Sequence, residues 1–135
     1  MNNKINIPIN IKNVLSVLYE NGFEAFLVGG CVRDFILGKV PYDFDITTNA
    51  LPHEMQKCFK DYKVIETGLS HGTLTVVSEG ENIEITTYRK DGEYKDGRHP
   101  LSVEFTPSLE EDLKRRDFTI NAMAYNEQDG LVDIF

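Results

Sequence analysis

Ile11, Val14, Leu15 and Leu18 recur at the i, i+3, i+4, i+7 spacing of a helix that buries one stripe. With Asn10 as a cap and Gly22 beyond the last turn, the spacing predicts a helix over residues 10–21 that packs on a sheet. The pattern then changes. Ala25 to Val28 is short and continuously apolar, as in a buried central strand, and ends at Gly29-Gly30. A short helix over 31–37 is expected to bury Val32, Phe35 and Ile36 and to stop at Gly38. Residues 43–47 alternate, so a strand there turns Phe44 and Ile46 to one face and Asp43 and Asp45 to the other. A third helix tolerates Pro52 in its first turn and offers Met55, Cys58 and Phe59 to the core.

Beyond it the signal is mostly β. Residues 63–66, 73–78 and 82–89 are rich in Val, Ile, Thr and Tyr, and Glu79-Gly80-Glu81 reads as a hairpin turn. Two Asp-Gly pairs and Pro100 mark residues 90–100 as a mobile loop. A strand near 102–105 follows, then a helix with capping-box spacing at Ser108 and Glu111 that ends near Arg115 or Arg116. Residues 117–135 read as a turn into a final hairpin. The chain stops on apolar Ile134 and Phe135, which reads as an N-terminal piece of a longer protein.

Composition narrows the picture. A chain of 135 residues suits one domain with a real core. No apolar run approaches the roughly 20 residues that span a bilayer, and no signal peptide is recognisable, so no membrane partner is expected and the reading is cytoplasmic. Fourteen basic against 22 acidic side chains give a net charge of −8, the wrong sign for gripping nucleic acid by phosphate neutralisation alone. Cys31 and Cys58 lack zinc-ligand neighbours and read as reduced, buried thiols.

The chemistry centres on Asp43 and Asp45. Residues i and i+2 of a strand lie roughly 7 Å apart, and their carboxylates can converge on two divalent ions about 3.5–4 Å apart. Oxygen ligands without nearby His or Cys suit Mg²⁺ rather than zinc. Upstream, Gly29 and Gly30 lack Cβ atoms where a strand meets a helix start, so backbone N–H groups can approach a phosphate there. Arg33, one turn along, can fork onto triphosphate oxygens. The bland alternatives are a tight structural turn for the glycines and a surface ion pair between Arg33 and Asp34.

Leu27-Val-Gly-Gly-Cys-Val-Arg-Asp-Phe-Ile-Leu-Gly38 followed by Asp43-Phe-Asp-Ile-Thr-Thr48 resembles the signature of the class II tRNA nucleotidyltransferase and bacterial poly(A) polymerase family. Arg115-Arg-Asp-Phe-Thr-Ile-Asn-Ala-Met-Ala124 resembles that family's next motif, and Gly130-Leu-Val-Asp-Ile-Phe135 the start of the one after it. The resemblance implies an α+β nucleotidyltransferase head, with a mixed sheet of about five strands packed by helices on one face and an acidic site on the other face or at its edge. It implies that Asp43 and Asp45 bind Mg²⁺, while Gly29, Gly30, Arg33 and Arg116 contact the nucleotide. Asp117 and Asn121 either position the ribose or order the turn. Glu84, on the face opposite Ile83 and Ile85, either joins the site as a metal ligand or guide for the attacking 3′-oxygen, or is a solvated strand carboxylate.

The implied reaction is transfer from CTP or ATP to the 3′-OH of tRNA. Bacterial polyadenylation is the same chemistry with another product, and an inert nucleotide-binding regulatory head is the rival from another class. A dinucleotide-binding Rossmann domain is disfavoured, because the glycine spacing is wrong. Arg98 and His99, on a loop, are candidate substrate contacts, and the resemblance implies that the 90–100 loop takes part in switching from C to A addition. The family's base-reading Glu-Asp-x-x-Arg belongs to a later segment; the match at Glu111 to Arg115 lies inside the capped helix and is read as accidental.

Overall fold

A computed structural model describes residues 7–39, 41, 43–91, 103–116 and 122–133. The first helix, α1 (Ile9–Glu20), buries Ile11, Val14, Leu15 and Leu18 as its periodicity requires. It closes with paired bonds, Phe23 N–H to the Leu18 carbonyl and Gly22 N–H to that of Tyr19, which satisfy two of the orphan acceptors of its last turn. Asn10 does not cap it. That residue lies inside the helix and donates to Glu81 Oε1 at 3.1 Å, while Pro8 holds the cap position.

The strands β1 (Ala25–Val28), β2 (Phe44–Thr48), β3 (Lys63–Ile65), β4 (Thr73–Ser78) and β5 (Glu81–Thr87) join β8 (Met123–Asn126) and β9 (Gly130–Asp133) in one sheet. Its order is β3-β4-β5-β2-β1-β8-β9, seven strands where about five were expected. The final hairpin supplies the difference, docking β8 on β1 with Leu27 opposite Tyr125. Every pairing in the sheet is antiparallel except β2 with β5, which makes the sheet mixed.

Two further strands, β6 (Arg89–Asp91) and β7 (Val103–Phe105), form a separate ribbon. Part of the expected loop is therefore paired strand; residues 92–102 lie outside the described residues. Tyr88 interrupts the long run expected over 82–89, because its N–H bonds to the Thr48 carbonyl at 2.7 Å and its carbonyl accepts from Thr106 N–H at 3.0 Å.

Alternation sorts the sheet into two faces. One carries Leu27, Phe44, Ile46, Leu74, Val76, Ile83 and Ile85, and is covered by α1, α2 (Gly30–Ile36) and α3 (Pro52–Cys58). The other is not bare. Phe26, Val28, Tyr88, Ala122 and Ala124 pack there with Leu113 of α4 (Leu109–Lys114), so helices lie on both faces rather than one. Ser108 caps α4, accepting from Glu111 N–H at 3.2 Å. Expected burial fails at three places: Ile36 is half exposed, and Phe35 and Cys58 are only partly covered, whereas Cys31 is buried. No helix of the described residues is long and apolar enough to cross a membrane.

Candidate active site

The face that carries α4 also carries the chemistry. Asp45 lies between Val28 on β1 and Glu84 on β5, and Thr47 lies in register with Thr86. Beyond β5, Glu84 faces Thr75 and Thr86 faces Thr73 on β4. Two rows of polar side chains thus cross the sheet, set by the period-2 alternation that buries Phe44 and Ile46 behind them. Asp45, Glu84, Thr47, Thr86 and Thr73 of these rows, together with Arg89, Arg115 and Arg116, line a cleft of about 260 Å³.

Asp45 is the most perturbed carboxylate there. Burial, first, and the negative charges of Glu84 and Asp43 raise it to about 6, with a hydrogen bond to Glu84 acting the same way and Arg116 opposing. Glu84, a solvated strand carboxylate in the bland reading, is exposed but stands beside Asp45. Asp43 precedes β2 and is exposed. Among the described residues no group of three or more His, Cys, Asp or Glu is placed to hold a metal by itself.

Because Val28 pairs with Asp45, Gly29 and Gly30 continue past the end of β1 toward Asp43, outside the cleft lining but on the neighbouring strand ends. Gly29 has φ 74° and ψ −139°, a conformation closed to side-chain-bearing residues, and opens α2. Arg33 folds back over this turn, with Nη2 3.4 Å from where a Cβ on Gly30 would stand. Its Nε also lies 3.4 Å from Asp34 Oδ1, the surface ion pair foreseen as the alternative, with the Arg33 side chain 43% exposed. Such a pair is weak and exchangeable. Asp117 and Asn121 lie outside the described residues.

Arg116 follows α4 and reaches Asp112 Oδ2 through Nη2 at 3.2 Å, while its Nε is buried with no acceptor among the described residues. Asp112 is the residue that sequence reasoning missed. In a run such as Glu110-Glu111-Asp112 it looks like one more solvated helix charge, yet it is fully buried. Arg89, Thr47, Thr73 and Thr86 were also not singled out as cleft residues. Only the strand alternation around Glu84 could have suggested Thr86.

Comparison with known proteins agrees with this architecture. Residues 25–135 match the model of the poly A polymerase head domain. The chain is 51% identical over 122 residues to a CCA-adding enzyme of Bacillus cytotoxicus, covering 90% of this chain and 30% of that one. It is 52% identical, with the same coverage, to a CCA-adding enzyme of Lactobacillus delbrueckii subsp. bulgaricus. Among solved structures, a Bacillus stearothermophilus CCA-adding enzyme in complex with CTP superposes with a TM-score of 0.81 at 42% identity, over 94% of this chain and 29% of that one. A tRNA nucleotidyltransferase complexed with a primer tRNA and an incoming ATP analog gives 0.65 at 33% identity, over 90% and 34%. The chain therefore spans about 30% of the length of the curated relatives it matches. With a seven-stranded mixed sheet that presents Asp45 beside Glu84, and a family match running from Ala25 to Phe135, this chain belongs to the poly A polymerase head domain family.

Proposed function

We propose that this chain is the catalytic head of a CCA-adding enzyme, which transfers CMP and AMP from CTP and ATP to the 3′-hydroxyl of a tRNA, with Mg²⁺ as cofactor. The observation that carries the reading is the Asp45–Glu84 pair, set side by side on β2 and β5 in a cleft that also holds Arg116. Relatives named as CCA-adding enzymes support this product over polyadenylation. A cytoplasmic location goes with the tRNA substrate.

The donor set fits a hard divalent cation. Asp43, Asp45 and Glu84 offer only carboxylate oxygens, and the elevated pKa of Asp45 records burial first and then the neighbouring negative charge of Glu84 and Asp43, which a cation would offset. Mg²⁺ commonly takes one or two protein carboxylates and completes its shell with phosphate and water, which suits a site with no protein cage of three. When bound, it would lower the pKa of the primer hydroxyl and offset charge on the departing pyrophosphate.

The chain's own groups do the rest. Gly29 and Gly30 bring the N–H groups of the α2 start close to phosphate oxygens, and Arg33 exchanges its Asp34 partner for them. Arg116 approaches from the α4 side, with its side chain at the cleft wall. Glu84, next to Asp45, orients the attacking 3′-oxygen or shares the metal. Asp117 and Asn121 hold the ribose or order the turn that follows Arg116. Alignment of hydroxyl and α-phosphate, with charge neutralisation, supplies most of the acceleration.

Calorimetric titration of CTP and ATP, with and without Mg²⁺, tests the reading. Binding is expected to require the metal and to vanish in the Asp43→Ala, Asp45→Ala double variant. Metal-independent binding, or undiminished binding by that variant, refutes it.

A further inference from the structure

We infer that Asp112 is a positioning residue for this site: its buried carboxylate fixes the Arg116 guanidinium at the wall of the cleft that holds Asp45 and Glu84. The inference rests on the reading of Arg116 as a triphosphate contact. Asp112 is 0% exposed, and its two oxygens gather groups from three separate elements. Oδ2 lies 3.2 Å from Arg116 Nη2. Oδ1 accepts from the Arg89 backbone N–H at 2.9 Å, where β6 begins, and lies 3.5 Å from Arg115 Nε. Thr47 Oγ1, on the cleft floor beyond Asp45, stands 3.4 Å from Oδ2 and 3.3 Å from the Thr86 carbonyl, so one hydroxyl hydrogen serves both.

A buried carboxylate is costly unless paired and hydrogen-bonded, and this one is both. What it accomplishes follows from its surroundings. An arginine is long and carries much rotamer freedom, and opposite it stand the carboxylates of Asp45 and Glu84. Untethered, the guanidinium would swing onto that pair and cover the place where metal and phosphate are to meet. Asp112 competes for the cation from behind. It holds Nη2 at the end of α4 and leaves the Arg116 Nε–H unspent. The ordering cost of a triphosphate contact is then met by folding rather than by binding. The same carboxylate ties β2 and the start of β6 to α4, so the cation is referenced to the strand that carries Asp45.

A double-mutant cycle on the 135-residue chain tests this, with Mg·CTP and Mg·ATP as probes. Asp112→Asn keeps an acceptor for the Arg89 N–H but removes the charge that holds Arg116. It is expected to weaken both nucleotides about tenfold, Arg116→Ala about as much, and the double variant no more than Arg116→Ala alone. If Arg116→Ala weakens binding while Asp112→Asn does not, the nucleotide role of Arg116 stands and the positioning role falls. If the two losses multiply, Asp112 acts through something other than Arg116, and the inference is overturned. If Arg116→Ala binds like the parent, the reading of Arg116 fails first and takes this one with it. Should Asp112→Asn unfold, nitrogen-15 relaxation of the Arg116 ε N–H in the unmutated, nucleotide-free chain decides. A side chain as rigid as the adjacent backbone supports the tether; one as mobile as that of Arg33 refutes it.

Discussion

Asp45 shows how much one side chain's surroundings determine. Its ordinary pKa of 3.8 rises to about 6 in the folded chain, so between those values the native state holds protons that the unfolded chain releases. Stability must then fall as pH rises from about 4 to about 6, and the deficit is fully present above that. Asp45→Asn should accordingly raise the melting temperature at pH 7.5, by an amount equivalent to roughly 1 kcal/mol once solvent screening is allowed for. At pH 4 the gain should vanish; thermal melts at the two pH values check it. Arg33 and Arg116 make a different test, because a guanidinium fork matches phosphate oxygens and is blind to C versus A. Each Ala variant should weaken Mg·CTP and Mg·ATP alike, by about tenfold, and a loss confined to one nucleotide in calorimetry would show base reading instead. Asp45 and Glu84 were legible in the sequence because period-2 alternation is local. Asp112 was not, since its partners Thr47 and Arg89 lie 65 and 23 residues away.

Among the elements, the β6–β7 ribbon meets the sheet at one tight point. Gly72, with φ +89°, closes the 3₁₀ turn Leu69–His71, and a Cβ there would stand 2.6 Å from Phe105 Cε1. Gly72→Ala should therefore cost about 1–3 kcal/mol in urea unfolding, through backbone strain and the clash together. Phe105→Ala in the same chain should recover the clash but not the strain. The sequence signalled the helices and most strands, because burial on one face imposes a period. It did not signal their partners. Docking of β8 on β1 joins residues about a hundred positions apart, and nothing local encodes it. The same limit hid the second face. Leu113, in a helix that is otherwise mostly charged, is fully buried with Phe26, Val28 and Tyr88.

At the scale of the whole molecule, acidity and a span of about 30% of its relatives' length bear on what the chain does alone. Its net charge of −8 is the wrong sign for holding an acceptor stem by phosphate neutralisation. Residues 1–135 should bind Mg·NTP weakly, with little preference between CTP and ATP, and should add no ordered C, C, A to a tRNA ending in the discriminator base. Incorporation of labelled nucleotides checks this, and ordered addition by the short chain would show that base selection resides in it. The single parallel pairing, β2 with β5, carries a further consequence for how the molecule assembles. Antiparallel neighbours such as β4 and β5 can zip from a two-residue turn, but parallel strands must wait for everything between them to find its place. Asp45 and Glu84 lie on either side of that seam, with α3, β3 and β4 intervening in the chain. Their meeting is therefore expected in the late, non-local part of folding. Under the proposed function, Mg·NTP affinity should then be a readout of completed folding, and a partly folded chain, however helical, should not bind it.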